Sequence, residues 1–277
     1  MEAAALTISF STHSSAVRQT AHSPTLPIMA GHNKWSKVKH IKAVVDAKRG
    51  KVFSKFSKEL TVAAKHGGSN PDSNARLRTA ILNARAQNMP NENIERAIKK
   101  GAGELEGSSL EEVTYEGYGP GGAAILVEVV TDNRNRSVND LRIIFSKNGG
   151  SIAEAGSVAY LFSRRGEIRL GKSGLTEDQA MELALDAGAD DVLDEGDEWL
   201  ICTAQDKLFA VGAALQAKNI APKSQQLVYL PSVTVPVNDP AAAKTLVKLY
   251  ETLDDYDDTQ NVHANFEIDD EIMAQLS

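Results

Sequence analysis

Ten cationic side chains fall between residues 34 and 65: Lys34, Lys37, Lys39, Lys42, Lys48, Arg49, Lys51, Lys55, Lys58 and Lys65. His40 lies among them, and from Lys34 to Arg49 the only acid is Asp46. Ammonium groups at this density suit one task above others, neutralising a phosphate backbone. Trp35 adds a ring that can stack on a base or pack inside a bundle. Residues 30–100 carry 16 Lys/Arg against 5 Asp/Glu, a net of +11, and residues 101–277 carry 13 against 31, a net of −18. The overall charge of −7 therefore hides a polarised chain.

A second basic spot is Thr131-Asp-Asn-Arg134-Asn-Arg136-Ser137, between a strand end and a helix start. Arg134 and Arg136 can read phosphates there, or serve as capping and packing residues, and composition does not choose.

Other motifs tempt and fail. Gly117-Tyr-Gly-Pro-Gly-Gly122 matches the dinucleotide-binding pattern, but an apolar strand follows where a helix must begin, so a hairpin turn is expected. Gly166 to Ser173 matches a P-loop, yet its middle, Glu-Ile-Arg-Leu, alternates like a strand. The six histidines show no metal spacing. Cys202 is the single cysteine, in an apolar run, and reads as a buried small hydrophobe. The acidic run Asp254 to Asp258 lacks an EF-hand's glycine and terminal glutamate and reads as a solvated helix-end loop. No catalytic constellation, cofactor motif or small-molecule substrate site emerges.

The lysines need a helix to align them. Val52, Phe56, Leu60, Ala63 and Ala64 recur on one face, and Lys51, Lys55, Lys58 and Lys65 fall in a stripe about 80° wide opposite. An ordinary solvated face mixes signs four residues apart and this one does not, so nucleic-acid contact is the favoured reading. A first helix capped at Asn33 or Ser36 is expected before it, and two more helices before a linker at 101–109. From Val113 the period changes to two. Strands are expected at Val113–Tyr118, Ala124–Val130, Val158–Phe162, Glu167–Leu170, around Glu195-Gly196, at Gln226–Leu230, Thr234–Val237 and Asn261–Ile268. Helices are expected after Asn135, after a Thr176/Gln179 capping box, from Asp206 and from Asp239. The fold class is α+β. The expected divisions are a disordered leader (1–28), a basic helical bundle (29–103), one α+β domain (104–163 plus 234–277) and an inserted ferredoxin-like α+β domain (164–233).

No window approaches a membrane span. The Ser/Thr-rich first 28 residues lack a secretory core, and Met29 directly precedes the basic segment. A leader with Met29 as the working start is expected, an organelle transit peptide being the alternative.

Six stretches carry a resemblance: Met29-Ala-Gly-His-Asn-Lys-Trp-Ser-Lys-Val-Lys-His-Ile-Lys42, Phe53-Ser-Lys-Phe-Ser-Lys-Glu-Leu60, Asn74-Ala-Arg-Leu-Arg78, Asn88 to Gly101, Tyr115 to Gly122 and Thr131 to Ser137. Together they resemble the YebC family, which includes bacterial proteins catalogued as transcriptional regulators and a mitochondrial translational activator of cytochrome c oxidase subunit I. The resemblance runs from Met29 to the C-terminus. It implies a helical bundle with two α+β domains, one inserted in the other, and a non-enzymatic regulator of gene expression. It also leaves two descriptions open: a DNA-binding transcriptional regulator, or a ribosome-associated factor that helps synthesis of proline-rich stretches. Lysine point charges suit backbones more than base edges, which favours ribosomal RNA over promoter DNA. The acidic half is expected to face basic ribosomal proteins. A cytoplasmic location is expected, or an organelle matrix if the leader is a transit peptide.

Overall fold

The computed structural model describes residues 45–276 except 107, 108 and 173. The expected helix from Asn33 or Ser36 lies outside them in all but its end. Helix α1, Val45–Gly67, runs through Gly50 unbroken, where two helices were expected. One glycine costs a helix about 1 kcal/mol and does not stop it.

Helices α2 (Ala75–Ala86) and α3 (Asn91–Gly101) fold against α1 around Leu60, Ala63, Leu77, Ile81, Ala84 and Ile94. Asn74 joins two of them: its Oδ1 caps Leu77 N while its amide donates to Ala63 O and Gly68 O at the end of α1. Gly101 marks the closest approach, because a Cβ there would run into Thr61 O and Ala64 Cβ.

Strands β1 (Glu111–Tyr118) and β2 (Ala124–Thr131) form an antiparallel hairpin. Its turn, Pro120–Gly122, needs φ of 73° and 77° at Gly121 and Gly122, so those glycines serve chain reversal and the hairpin expectation holds. Helix α4 (Arg134–Lys147) is capped by Asn133, two residues before the expected Asn135. Strand β3 is Ser151–Ile152. The strand expected at Val158–Phe162 is instead a 3₁₀ turn over Ala159–Leu161. The N–H groups of Gly156, Val158 and Ala159 donate to the Glu116 carboxylate, which removes them from any ladder. Those bonds outweigh the burial that would raise Glu116 and hold it below the usual range.

The chain then builds β4 (Phe162–Gly171), α5 (Glu177–Asp186), β5 (Asp191–Asp194), β6 (Glu198–Ala204), α6 (Leu208–Ala217) and β7 (Ser224–Pro231). The Thr176/Gln179 capping box is present at α5. This sheet has the order β5-β6-β4-β7, every pair antiparallel, which is the ferredoxin-like arrangement. After it come β8 (Val235–Val237), α7 (Pro240–Asp254), β9 (Thr259–Ala264), β10 (Phe266–Ile268) and α8 (Asp270–Leu276). Strand β9 returns to pair with β2, completing the order β3-β1-β2-β9, so the ferredoxin-like unit is inserted within the other. The single last strand expected is broken at Asn265, whose side chain binds Ala124 N and Val233 O. Phe145, Ile125, Val127, Leu246 and Leu253 fill the core between that sheet and helices α4 and α7.

Candidate nucleic-acid interface

Lys34, Trp35, Lys37, Lys39, His40 and Lys42 lie outside the described residues, and Lys48 and Arg49 are in the first turns of α1. The stripe after them points at the protein's own acidic run. Lys51 Nζ reaches Asp255 Oδ1 at 3.2 Å and Asp255 O at 2.8 Å. Lys55 Nζ reaches Asp254 Oδ1 at 3.1 Å and Gln260 O at 3.3 Å. Lys58 Nζ reaches Asp258 Oδ1 at 2.8 Å and Asp257 O at 2.8 Å. Lys65, at the far end, donates to Ser109 Oγ and Leu110 O.

The geometry explains itself. Helix α7 ends at Asp254, so carbonyls without helical partners and the negative end of its dipole lie beside three carboxylates. Lysines one turn apart meet them rung by rung. The expectation of a solvated loop at Asp254–Asp258 is therefore corrected. Asp258 is 6% exposed and forms the hub of a network. Its Oδ2 accepts from Arg136 Nη2 (2.9 Å), Ser137 Oγ (2.9 Å), Thr131 Oγ1 (2.9 Å) and Tyr256 OH (3.2 Å). Burial would raise this carboxyl, but donors led by Lys58, Arg136, Ser137 and Thr131 hold it far below the ordinary aspartate range. Burial, Asp140 and Asp258 in turn push Tyr256 up to about 12.

The two arginines of the first turn of α4 separate. Arg136 binds Asp132 and Asp258, both at 2.9 Å, which is a packing role, though its side chain stays 47% exposed. Arg134 pairs with Glu111 at 3.0 Å on the surface. Arg76 clamps Glu59 and Glu112 together. On its other flank the bundle touches the inserted unit through Thr79 and Asn83, which bond the side chain and backbone of Gln225. The bundle is thus held on two sides, by ions on one and amides on the other.

Lys172 of the P-loop-like run pairs with Asp194 and lies 4.1 Å from the centre of the Trp199 ring, while Gly166 to Gly171 belong to strand β4. Cys202 is buried, and burial first, then nearby carboxylates, push its thiol up to about 12. Among the described residues no cluster of His, Cys, Asp or Glu fits a metal ion, and no helix is long and apolar enough to cross a membrane.

Two family models cover nearly all of the described chain. The TACO1/YebC protein N-terminal domain matches residues 33–104, and the TACO1/YebC second and third domain matches residues 110–266. A probable transcriptional regulatory protein of Syntrophobacter fumaroxidans is 53% identical over 249 residues, 90% of this chain and 100% of that one. One of the same description from Akkermansia muciniphila is 54% identical over 251 residues, again 90% of this chain and 100% of the relative. The crystal structure of a conserved hypothetical protein from Aquifex aeolicus superposes with a TM-score of 0.80 at 47% identity, covering 87% of this chain and 99% of that one. With matches of this length in both parts, and with the bundle, hairpin and inserted sheet arranged as described, the chain belongs to the TACO1/YebC family.

Proposed function

We propose that this chain is a non-enzymatic, nucleic-acid-binding regulator of gene expression that works on the ribosome, holding ribosomal RNA and aiding synthesis of proline-rich sequences. The observation that carries the nucleic-acid reading is charge segregation, +11 over residues 30–100 against −18 beyond. The contacts are assigned to Lys34, Trp35, Lys37, Lys39, His40, Lys42, Lys48, Arg49, Lys51, Lys55, Lys58 and Lys65, with Arg134 and Arg136 alongside. What supports RNA over a duplex reader is the lysine-dominated composition of the segment, point charges that suit backbones more than base edges. Lys51, Lys55 and Lys58 reach a phosphate by exchanging their bonds to residues 254–258, so their contact requires that ladder to open. Lysine-rich sequence at 34–48 remains for a shaped RNA surface, and cytoplasm or an organelle matrix is the corresponding location.

The second reading, a regulator at promoter DNA, is favoured by the bacterial relatives, which are described as probable transcriptional regulatory proteins. Sedimentation decides between them. Ribosomes pelleted from lysate at modest salt carry the protein down on the first reading. Protein left in the supernatant that protects particular promoter fragments supports the second and sinks the first.

A further inference from the structure

A cleft of about 440 Å³ opens where the bundle meets the β2–α4 turn, bordering the innermost rung of the lysine ladder, Lys58 with Asp258. Its walls are Ser54, Ser57, Lys58 and Thr61 of α1, Asn93, Arg96, Ala97 and Lys100 of α3, and Leu110, Asp132, Arg136 and Asp258 across from them. The two carboxylates are already satisfied by Arg136, with Lys58 also on Asp258. The α3 wall is different. Asn93, Arg96 and Lys100 stand at three- and four-residue spacings, so they share one face. Among the described residues Arg96 pairs with the outward-lying Glu92 alone, at 3.2 Å. Among the described residues the side chains of Ser54, Ser57, Asn93 and Lys100 have no hydrogen-bond or ion-pair partner. The cleft thus gathers unused donors and surplus positive charge in a concavity of nucleotide size.

We propose that this cleft holds one sugar–phosphate unit of a single RNA strand, a site that rests on the nucleic-acid reading above. Lys100 and Arg96 take the phosphate, and Asn93 with Ser54 and Ser57 takes the 2′-hydroxyl, which both donates and accepts. Among the described residues no aromatic side chain lines the cleft, so none of them offers a base stacking there and their groups read backbone. Duplex phosphates lie on a convex surface, whereas a strand or looped-out nucleotide can enter a concavity.

The test is fluorescence anisotropy of a labelled single-stranded RNA ten-mer, and the matching DNA, with the full chain. The variants are Lys100→Ala, Asn93→Ala and, as control, the neighbouring Lys99→Ala outside the cleft. All three residues are on the helix surface, and a thermal melt checks that each variant folds. Lys100→Ala should weaken RNA binding at least about fivefold and reduce the salt slope by about 1. Lys99→Ala should do neither. Wild type should prefer RNA to DNA, and Asn93→Ala should erase much of that preference. Equal binding by Lys100→Ala and Lys99→Ala overturns the site while leaving the wider nucleic-acid reading intact. Equal wild-type affinity for RNA and DNA overturns the ribose assignment. A wild type that binds no polynucleotide overturns both.

Discussion

Asp258 shows how one side chain can decide a domain contact. It accepts from a lysine of the bundle, an arginine in the first turn of α4 and three hydroxyls. Replacing it with Asn leaves Lys58 facing an uncharged group in a mostly buried setting, a loss of about 2–4 kcal/mol at pH 7. The pH dependence has a definite sign. The folded state depresses this carboxyl, so its stabilisation is complete above the ordinary aspartate range and fades as pH falls toward the depressed value. Urea unfolding of wild type and Asp258→Asn at pH 7 and pH 3 should therefore give a difference that shrinks on acidification. An identical difference at both pH values would show that the hub is not electrostatic. Lys172→Ala is the opposite case. Its ammonium serves Asp194 and the Trp199 ring, so isothermal titration with nucleoside triphosphates should register no binding before or after the change, and function should survive.

Helices α1 and α7 meet through complementary charge, and that meeting was illegible in the sequence. Periodicity revealed the lysine stripe of α1 and the apolar edge that buries Leu60 and Ala63, since both depend only on residues a few positions apart. The acidic turn was visible as composition, but its partner lies about 200 residues away. Local pattern carries no information about such a pairing. For the same reason the strand expected at Val158 failed, because the Glu116 carboxylate that captures its N–H groups is far back in β1. What did survive, the ferredoxin-like order, the Thr176/Gln179 box and the glycine turn, is encoded within single segments. The ladder also makes Asp254 and Asp255 competitors of any phosphate at Lys51 and Lys55. Asp254→Asn with Asp255→Asn should raise affinity for structured RNA about three- to tenfold by removing that competition. Unchanged affinity would assign those two lysines to domain docking alone.

Across the whole molecule, a cationic bundle rides on an anionic body and is fastened by ion pairs on one flank and by the Thr79, Asn83 and Gln225 bonds on the other. The outermost pair, Lys51–Asp255, is exposed, so it contributes little and weakens with salt, whereas Lys58–Asp258 is largely buried and screened less. Hydrogen exchange in α1 should accordingly rise between low and high salt around Lys51, while Leu60 to Ala64, buried in the bundle core, stays protected. Equal protection at both salt levels would mean the exposed Lys51–Asp255 rung contributes nothing to docking. The central claim is that the basic half of this polarised chain grips a phosphate backbone. Its most direct test is a salt titration of the full chain binding a structured ribosomal RNA fragment. The account predicts that log K falls linearly with log salt at a slope of about −4 to −9, as six to ten neutralised phosphates require across single-stranded and paired RNA. Binding that is absent, or that ignores salt, would contradict it.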